Sequence, residues 1–143
     1  RLIDRLYAAS RAGVKIQLIV RGICCLIPGV KAMSENIEVI SVVDKFLEHP
    51  RLYIFENDGA PKIYISSADF MRRNLDTREE ISCPIYDQQI KEEILETFSI
   101  CWNDNVKARC ISEKQDNLYR KNNNPKVRSQ FALYAYYKNK LEN

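Results

Sequence analysis

The sequence predicts an α/β domain, a mixed central β-sheet with helices packed on it. Three stretches carry that expectation. Residues 14–21, Val-Lys-Ile-Gln-Leu-Ile-Val-Arg, alternate and then run apolar, and residues 37–43, Ile-Glu-Val-Ile-Ser-Val-Val, form a second apolar run. Both have the pattern of buried strands. Residues 88–102 place Ile90, Ile94, Leu95, Phe98 and Trp102 at helical spacing, an amphipathic cover for such a sheet.

The elements follow in chain order. Residues 1–13 read as a helix, because Leu2, Ile3, Leu6, Tyr7 and Ala9 recur at helical spacing and Gly13 suits the position just past its end. No capping residue and no initiator Met precede this helix, so the chain is expected to be a piece of a longer one. The strand 14–21 leads into a loop, 22–29, and then the strand 37–43. Residues 44–49 make a short turn of helix or loop that Pro50 stops. Residues 52–56 and 62–66 flank Asn57-Asp-Gly-Ala-Pro61, a hairpin with a five-residue loop. Residues 81–86 are a fifth strand candidate. Asp87 caps the helix that runs through Trp102. Residues 117–125 are polar and basic, a loop, and Val127, Phe131, Tyr134 and Leu141 stripe a final helix.

One hundred and forty-three residues suit a single domain, 1–143. A chain of this length buries about 70% of its unfolded surface and needs no disulfide staples. Its composition, 45% hydrophobic and 29% charged, is that of a globular protein and excludes disordered, collagen-like and disulfide-scaffold classes. No apolar run is long enough to span a membrane, and no secretory leader is visible. The five cysteines include no C-x-x-C pair and are read as reduced thiols packing as small hydrophobes. The net charge of +3 is unevenly spread. Residues 106–143 hold nine basic and three acidic side chains, an excess that suits an anionic partner or, more blandly, a solvated helix.

No P-loop, dinucleotide-binding turn, nucleophile elbow or Cys/His metal cluster is present in the sequence. His49 is the single imidazole. Spacing alone would make it a helix-end or surface residue, but its neighbours suggest more. Arg51 lies two residues on, and Arg21 ends a buried strand, where α/β folds place ligand-binding groups. Ser66, Ser67 and Asp69 close the hairpin's second strand, and Arg78 and Glu80 enter the next. Arginine at strand ends suits phosphate, since its fork donates paired hydrogen bonds and stays charged. Glu80 could orient the His49 ring, with Arg21 and Arg78 on phosphate oxygens.

Four stretches, Val20-Arg-Gly-Ile-Cys-Cys-Leu-Ile-Pro-Gly29, Ser34-Glu-Asn-Ile-Glu-Val-Ile-Ser41, Phe46-Leu-Glu-His-Pro-Arg51 and Ile65-Ser-Ser-Ala-Asp-Phe-Met-Arg-Arg-Asn74, strongly resemble the C-terminal part of the bacterial polyphosphate kinase family. Lys126-Val-Arg-Ser-Gln-Phe131 resembles that family's basic terminal helix, and the resemblance runs through nearly the whole chain. It implies a phospholipase-D-like domain, the second of two in tandem. The reaction implied is reversible transfer of the terminal phosphate of ATP to polyphosphate, with Mg²⁺ as cofactor, through a phosphohistidine in the upstream domain. His49 matches the family's second essential histidine, and Arg21 an arginine at the ATP phosphates. Arg78 and Glu80 stand where the family has an arginine and a glutamate beside the site. The wider phospholipase-D pattern is H-x-K; here it reads His49-Pro50-Arg51, so the lysine's role does not carry over to Arg51. No residue of this chain is assigned to metal.

The partners then expected are ATP or ADP, inorganic polyphosphate, the upstream domains of the same chain and further copies in a homo-oligomer, with no nucleic acid. Location is expected in the cytoplasm, with peripheral membrane association compatible. Arg120, Lys121, Lys126 and Arg128 are placed on the path of the polyphosphate chain, and the isolated domain is expected to be inactive. Two other classes compete. One is a phospholipase-D-type phosphodiesterase or nuclease, in which two such histidines come from a dimer. The other is a non-catalytic polyanion-binding module.

Overall fold

The structure is a computed structural model that describes residues 1–142. Asn143, the end of the expected domain 1–143, lies outside the described residues. The chain divides into two compact units, one of residues 1–47 and 99–143 and one of residues 48–98.

The first unit opens with α1 (Leu2–Arg11). Gly13, at φ +88°, ends it. The Val14 N–H donates to the Ala9 carbonyl (3.1 Å) and the Gly13 N–H to the Ser10 carbonyl (2.9 Å). That paired closure requires a left-handed residue, and glycine occupies it without steric cost. The turn delivers the chain into β1 (Ile16–Ile19), which pairs in parallel with β2 (Ile37–Val42). On the other side of β2 runs β6 (Ala108–Ile111), antiparallel, so β2 is the centre of a mixed sheet of order β1-β2-β6. A central strand flanked on both edges has two faces to bury, and Ile37, Val39, Ile40 and Val42 are all buried. Leu26, Ile37 and Val39 form the core against Ile3, Leu6 and Tyr7 of α1. The mixed sheet with helical cover is the architecture the sequence predicts.

The β1–β2 crossover has no helix of its own. Buried Ser34 organises it: its hydroxyl donates to the Ile27 carbonyl (2.6 Å) and accepts the Val30 N–H (3.0 Å). The Ile27 N–H donates to Tyr7 Oη (2.9 Å), which ties the loop to α1.

The second unit holds the hairpin β3 (Leu52–Phe55) and β4 (Lys62–Ser66), the short helix α2 (Arg72–Asp76) and β5 (Ser82–Ile85). These strands form an antiparallel sheet of order β3-β4-β5, separate from the first. Pro84 is tolerated because β5 is an edge strand. The hairpin loop passes through left-handed backbone at Asn57, Asp58 and Gly59, residue types that accept it. The helix α3 (Gln88–Trp102) begins as expected, with Asp87 Oδ1 accepting the Ile90 N–H (3.0 Å), and it runs from the second unit into the first.

Two sequence expectations about helix faces are corrected. Ile90, placed on the inner face of α3, is exposed in its first turn. In α4 (Ser129–Glu142) the stripe is the outer one: Phe131, Tyr134 and Leu141 are exposed, Leu141 at 88%, and Val127 precedes the helix. Ser129 and Gln130 are buried in their place. The physical reason is polar anchoring. Gln130 exchanges two hydrogen bonds with the Phe46 backbone (2.9 and 2.8 Å), and the Ser129 N–H donates to Asp104 Oδ2 (2.7 Å), turning the polar end of α4 inward.

Candidate functional site

The end of β4 gathers the chemistry-bearing residues of the second unit. The Ser66 N–H donates to the Arg51 carbonyl (2.9 Å), extending the β3–β4 ladder one residue past the strand and fixing Arg51 beside Ser66. The Arg51 fork then makes two side-chain bonds. Its Nε donates to Asp69 Oδ1 (2.8 Å), and its Nη2 lies 2.7 Å from His49 Nε2. The ion pair with Arg51 holds the Asp69 carboxyl below the usual carboxylate range and raises the Arg51 guanidinium. The two groups are only partly exposed, at 21% and 34% of their side-chain area.

A second knot lies next to it in sequence. The Ser67 hydroxyl donates to Glu80 Oε2, and Asn74 Nδ2 donates to Glu80 Oε1 (2.6 Å). The Ile81 N–H donates back to Ser67 Oγ (3.1 Å). These donors, Ser67 first and then Asn74, with the charge of Arg78 adding, hold Glu80 ionised to lower pH than an ordinary glutamate. Asn74 is buried, and its Oδ1 has no hydrogen-bond partner. The five-residue helix α2 brings Asn74 back toward Glu80. Tyr53 fixes the segment between the knots: its hydroxyl donates to the Ala68 carbonyl (2.8 Å) and its ring stacks on Phe70 (4.7 Å between centroids, 2° between planes).

In the second unit Arg51 stands between His49, which it meets by a hydrogen bond, and the charge of Glu80, on which Arg78 also acts. One expected detail is corrected. Among the described residues Glu80 makes no hydrogen bond to the His49 ring: its oxygens accept from Ser67 and Asn74, and the ring's hydrogen bond is to Arg51. Arg21 belongs to the first unit, just past β1, in an exposed position after the Val20 N–H has closed the ladder on the Ile40 carbonyl (2.8 Å). Among the described residues no group of three or more His, Cys, Asp or Glu side chains is gathered to hold a metal ion.

The basic tail separates into two kinds of cation. Arg128 grips Asp44 through both prongs, Nε to Oδ2 (2.8 Å) and Nη2 to Oδ1 (2.7 Å), and lies over the Phe131 ring. Asp44 has 3% of its side chain exposed, and the Arg128 bond holds its pKa down. Arg120 donates to the Trp102 carbonyl and lies over the Trp102 ring. These two arginines, expected on a polyanion path, serve the protein's own packing. Lys121 and Lys126 are exposed.

The bonds that Asp69, Ser67 and Asn74 make at the site were not assigned from spacing, although Ser67 and Asp69 stood out at the hairpin's end. The signal for the first was present: Arg51 and Asp69 both flank the hairpin 52–66, so strand pairing brings them together.

Comparison with known proteins agrees on one family. The family model described as "Polyphosphate kinase C-terminal domain 2" matches residues 1–130. The chain is 52% identical over 139 residues to a polyphosphate kinase of Vibrio vulnificus, covering 96% of this chain and 20% of that protein. It is 50% identical over 138 residues to the polyphosphate kinase of Escherichia coli, with the same shares. The crystal structure of polyphosphate kinase from Porphyromonas gingivalis superposes with a TM-score of 0.95 at 46% identity, covering 99% of this chain and 22% of that one. The chain therefore spans about one fifth of the length of these relatives.

Proposed function

The chain belongs to the polyphosphate kinase C-terminal domain family, and on that premise we propose that it is the phospholipase-D-like half of a catalytic body that moves the terminal phosphate of ATP reversibly onto polyphosphate. The observation that carries this is the cluster at the end of β4, an imidazole held by a guanidinium beside a glutamate kept ionised. Phosphoryl transfer asks a protein mainly for positioning and for neutralisation of oxygen charge. In the proposal Arg21 and Arg78 hold phosphate oxygens, and His49 exchanges a proton with the entering or leaving oxygen. Glu80 keeps Ser67 and Asn74 in register. The phosphorylated histidine belongs to the upstream domain. Mg²⁺ enters the proposal as the companion of the nucleotide phosphates, its usual setting, and no step passes through it.

The test compares the isolated chain with the complete polypeptide. The isolated chain is expected to make no long-chain product from labelled ATP and Mg²⁺, while ATP or tripolyphosphate raises its melting temperature and duplex DNA does not. Stabilisation by DNA alone would favour the phosphodiesterase class, and chain synthesis by the isolated chain would overturn the need for an upstream partner.

Lys121 and Lys126 are proposed to line the polyphosphate path. Reversing both to Glu is expected to weaken polyphosphate binding more than ATP binding, and to flatten its salt dependence, since each lost phosphate contact removes released counterions. Equal losses for both ligands in a filter-binding assay would make this segment an ordinary solvated surface.

A further inference from the structure

His49 and Arg51 are both side-chain donors in their charged forms, and only one arrangement lets them bond at 2.7 Å. A guanidinium has five N–H donors and no acceptor, and it does not lose its proton. His49 Nε2 must therefore be the acceptor, with its lone pair aimed at Arg51 Nη2. The ring proton then sits on Nδ1. An imidazolium would present a donor at both nitrogens and could not keep this bond.

We propose that Arg51 is a positioning residue for His49: without substrate it occupies the Nε2 lone pair and fixes the Nδ1–H tautomer, and it releases the ring when a phosphate group takes the guanidinium.

Three features make Arg51 suited to this. Its fork is oriented from the far side by Asp69, at 2.8 Å from Nε, so Nη2 is held in place rather than swinging on a flexible stem. Its backbone is pinned by the Ser66 N–H. Pro50 between the two residues keeps the segment extended, which puts His49 and Arg51 on one side of the chain. The charged groups acting on this pair are Asp69 and Glu80, with Arg73 acting on Asp69. A hydrogen bond to an anionic oxygen is roughly twice as strong as one to a neutral acceptor. Three guanidinium N–H groups remain for a phosphate, and where an anionic oxygen comes to the Nη2 N–H that faces the ring it displaces the neutral imidazole, so that the freed Nε2 becomes available for proton exchange when there is phosphate to serve. The resting histidine is masked by the same arginine that senses the substrate. Only this release step rests on the proposed phosphotransfer function; the tautomer does not.

This chain contains a single histidine, which makes the test direct. In the complete polypeptide, ¹⁵N-histidine labelling confined to this segment by intein ligation gives one imidazole, whose tautomer is read by solid-state NMR. The expected result is Nδ1–H without ligand. Arg51→Met should lose it in favour of Nε2–H, while Arg51→Lys, which still donates, should retain it. A role for Arg51 in packing alone would not be rescued in this way. Adding inorganic tripolyphosphate should remove the Nδ1–H signature from the unsubstituted protein. Should Arg51→Met fail to fold, Asp69→Ala, which unhooks the guanidinium, is read identically. A resting Nε2–H ring, or an unchanged tautomer in Arg51→Met or in its Asp69→Ala replacement, would overturn the proposal. Loss of only the tripolyphosphate response would overturn the release step, and if that ligand does not bind at all, the proposed function with it.

Discussion

His49→Ala in the complete polypeptide is expected to lower polyphosphate synthesis by on the order of 10³-fold, within the 10²–10⁴ range of a lost proton-transfer group. Stability should change by less than about 0.5 kcal/mol, because the ring is exposed and among the described residues its hydrogen bond is to Arg51. Arg21→Lys should also cost about 10³-fold, since an ammonium cannot reproduce the paired geometry of a guanidinium on a phosphate. The two variants should differ in kind. His49→Ala should reduce kcat with little change in KM for ATP, because the proton moves only in the transition state, whereas Arg21→Lys should alter both. The measurement is steady-state synthesis alongside melting temperature. A rate loss that tracks a fall in Tm would make His49 a structural residue, and a KM-only effect would limit it to binding.

Much of this arrangement was legible in the sequence for a local reason. The helix α1 ends where Gly13 supplies a left-handed residue, and α3 begins where Asp87 caps Ile90; both signals lie within a few residues of what they control. The hairpin was legible in its Asn-Asp-Gly loop. What stayed hidden depends on pairing across the chain. Four residues of β6, Ala-Arg-Cys-Ile, are too few to show a period, and their strand state comes from β2 beside them. The separation into two sheets follows from which edges meet, a matter on which individual strand patterns are silent. In α4 the apolar spacing identified a helix but not its buried side, which polar contacts of Ser129 and Gln130 decide. At the site, the types of residue were readable but their bonds were not. Glu80 has the chemistry to hold the ring, but its recorded donors are Ser67 and Asn74, and the ring turns to Arg51, two residues away in sequence.

Asp104→Ala is expected to be the most destabilising single change in the first unit. Between α3 and β6 its fully buried carboxylate accepts four backbone N–H groups. Oδ1 takes Val106 (2.9 Å), Lys107 (2.7 Å) and Ala108 (3.0 Å), and Oδ2 takes Ser129 (2.7 Å) at the start of α4. Burial pushes the Asp104 carboxyl up, but these donors outweigh it and hold the pKa below its ordinary 3.8. Removing the carboxylate leaves donors without partners, and those of Ala108 and Ser129 sit at fully buried positions. At about 1–3 kcal/mol for each buried group left unsatisfied, the loss should be about 3 kcal/mol or more, roughly 10 °C in Tm. Asp104→Asn should fall between, because its carbonyl oxygen can still accept the three N–H groups of 106–108 while its amide meets the Ser129 N–H donor to donor. The sign of the pH dependence follows. A carboxyl depressed on folding contributes its stability in full above 3.8 and loses it as pH falls through the folded value. The unsubstituted protein should therefore lose part of its stability on acidification below pH 3.8, and Asp104→Ala should lose less there, having already lost it at neutral pH. Chemical denaturation of both proteins across that range checks the claim. An Asp104→Ala protein within 1 kcal/mol of the parent would mean that water satisfies these donors as well as the carboxylate does.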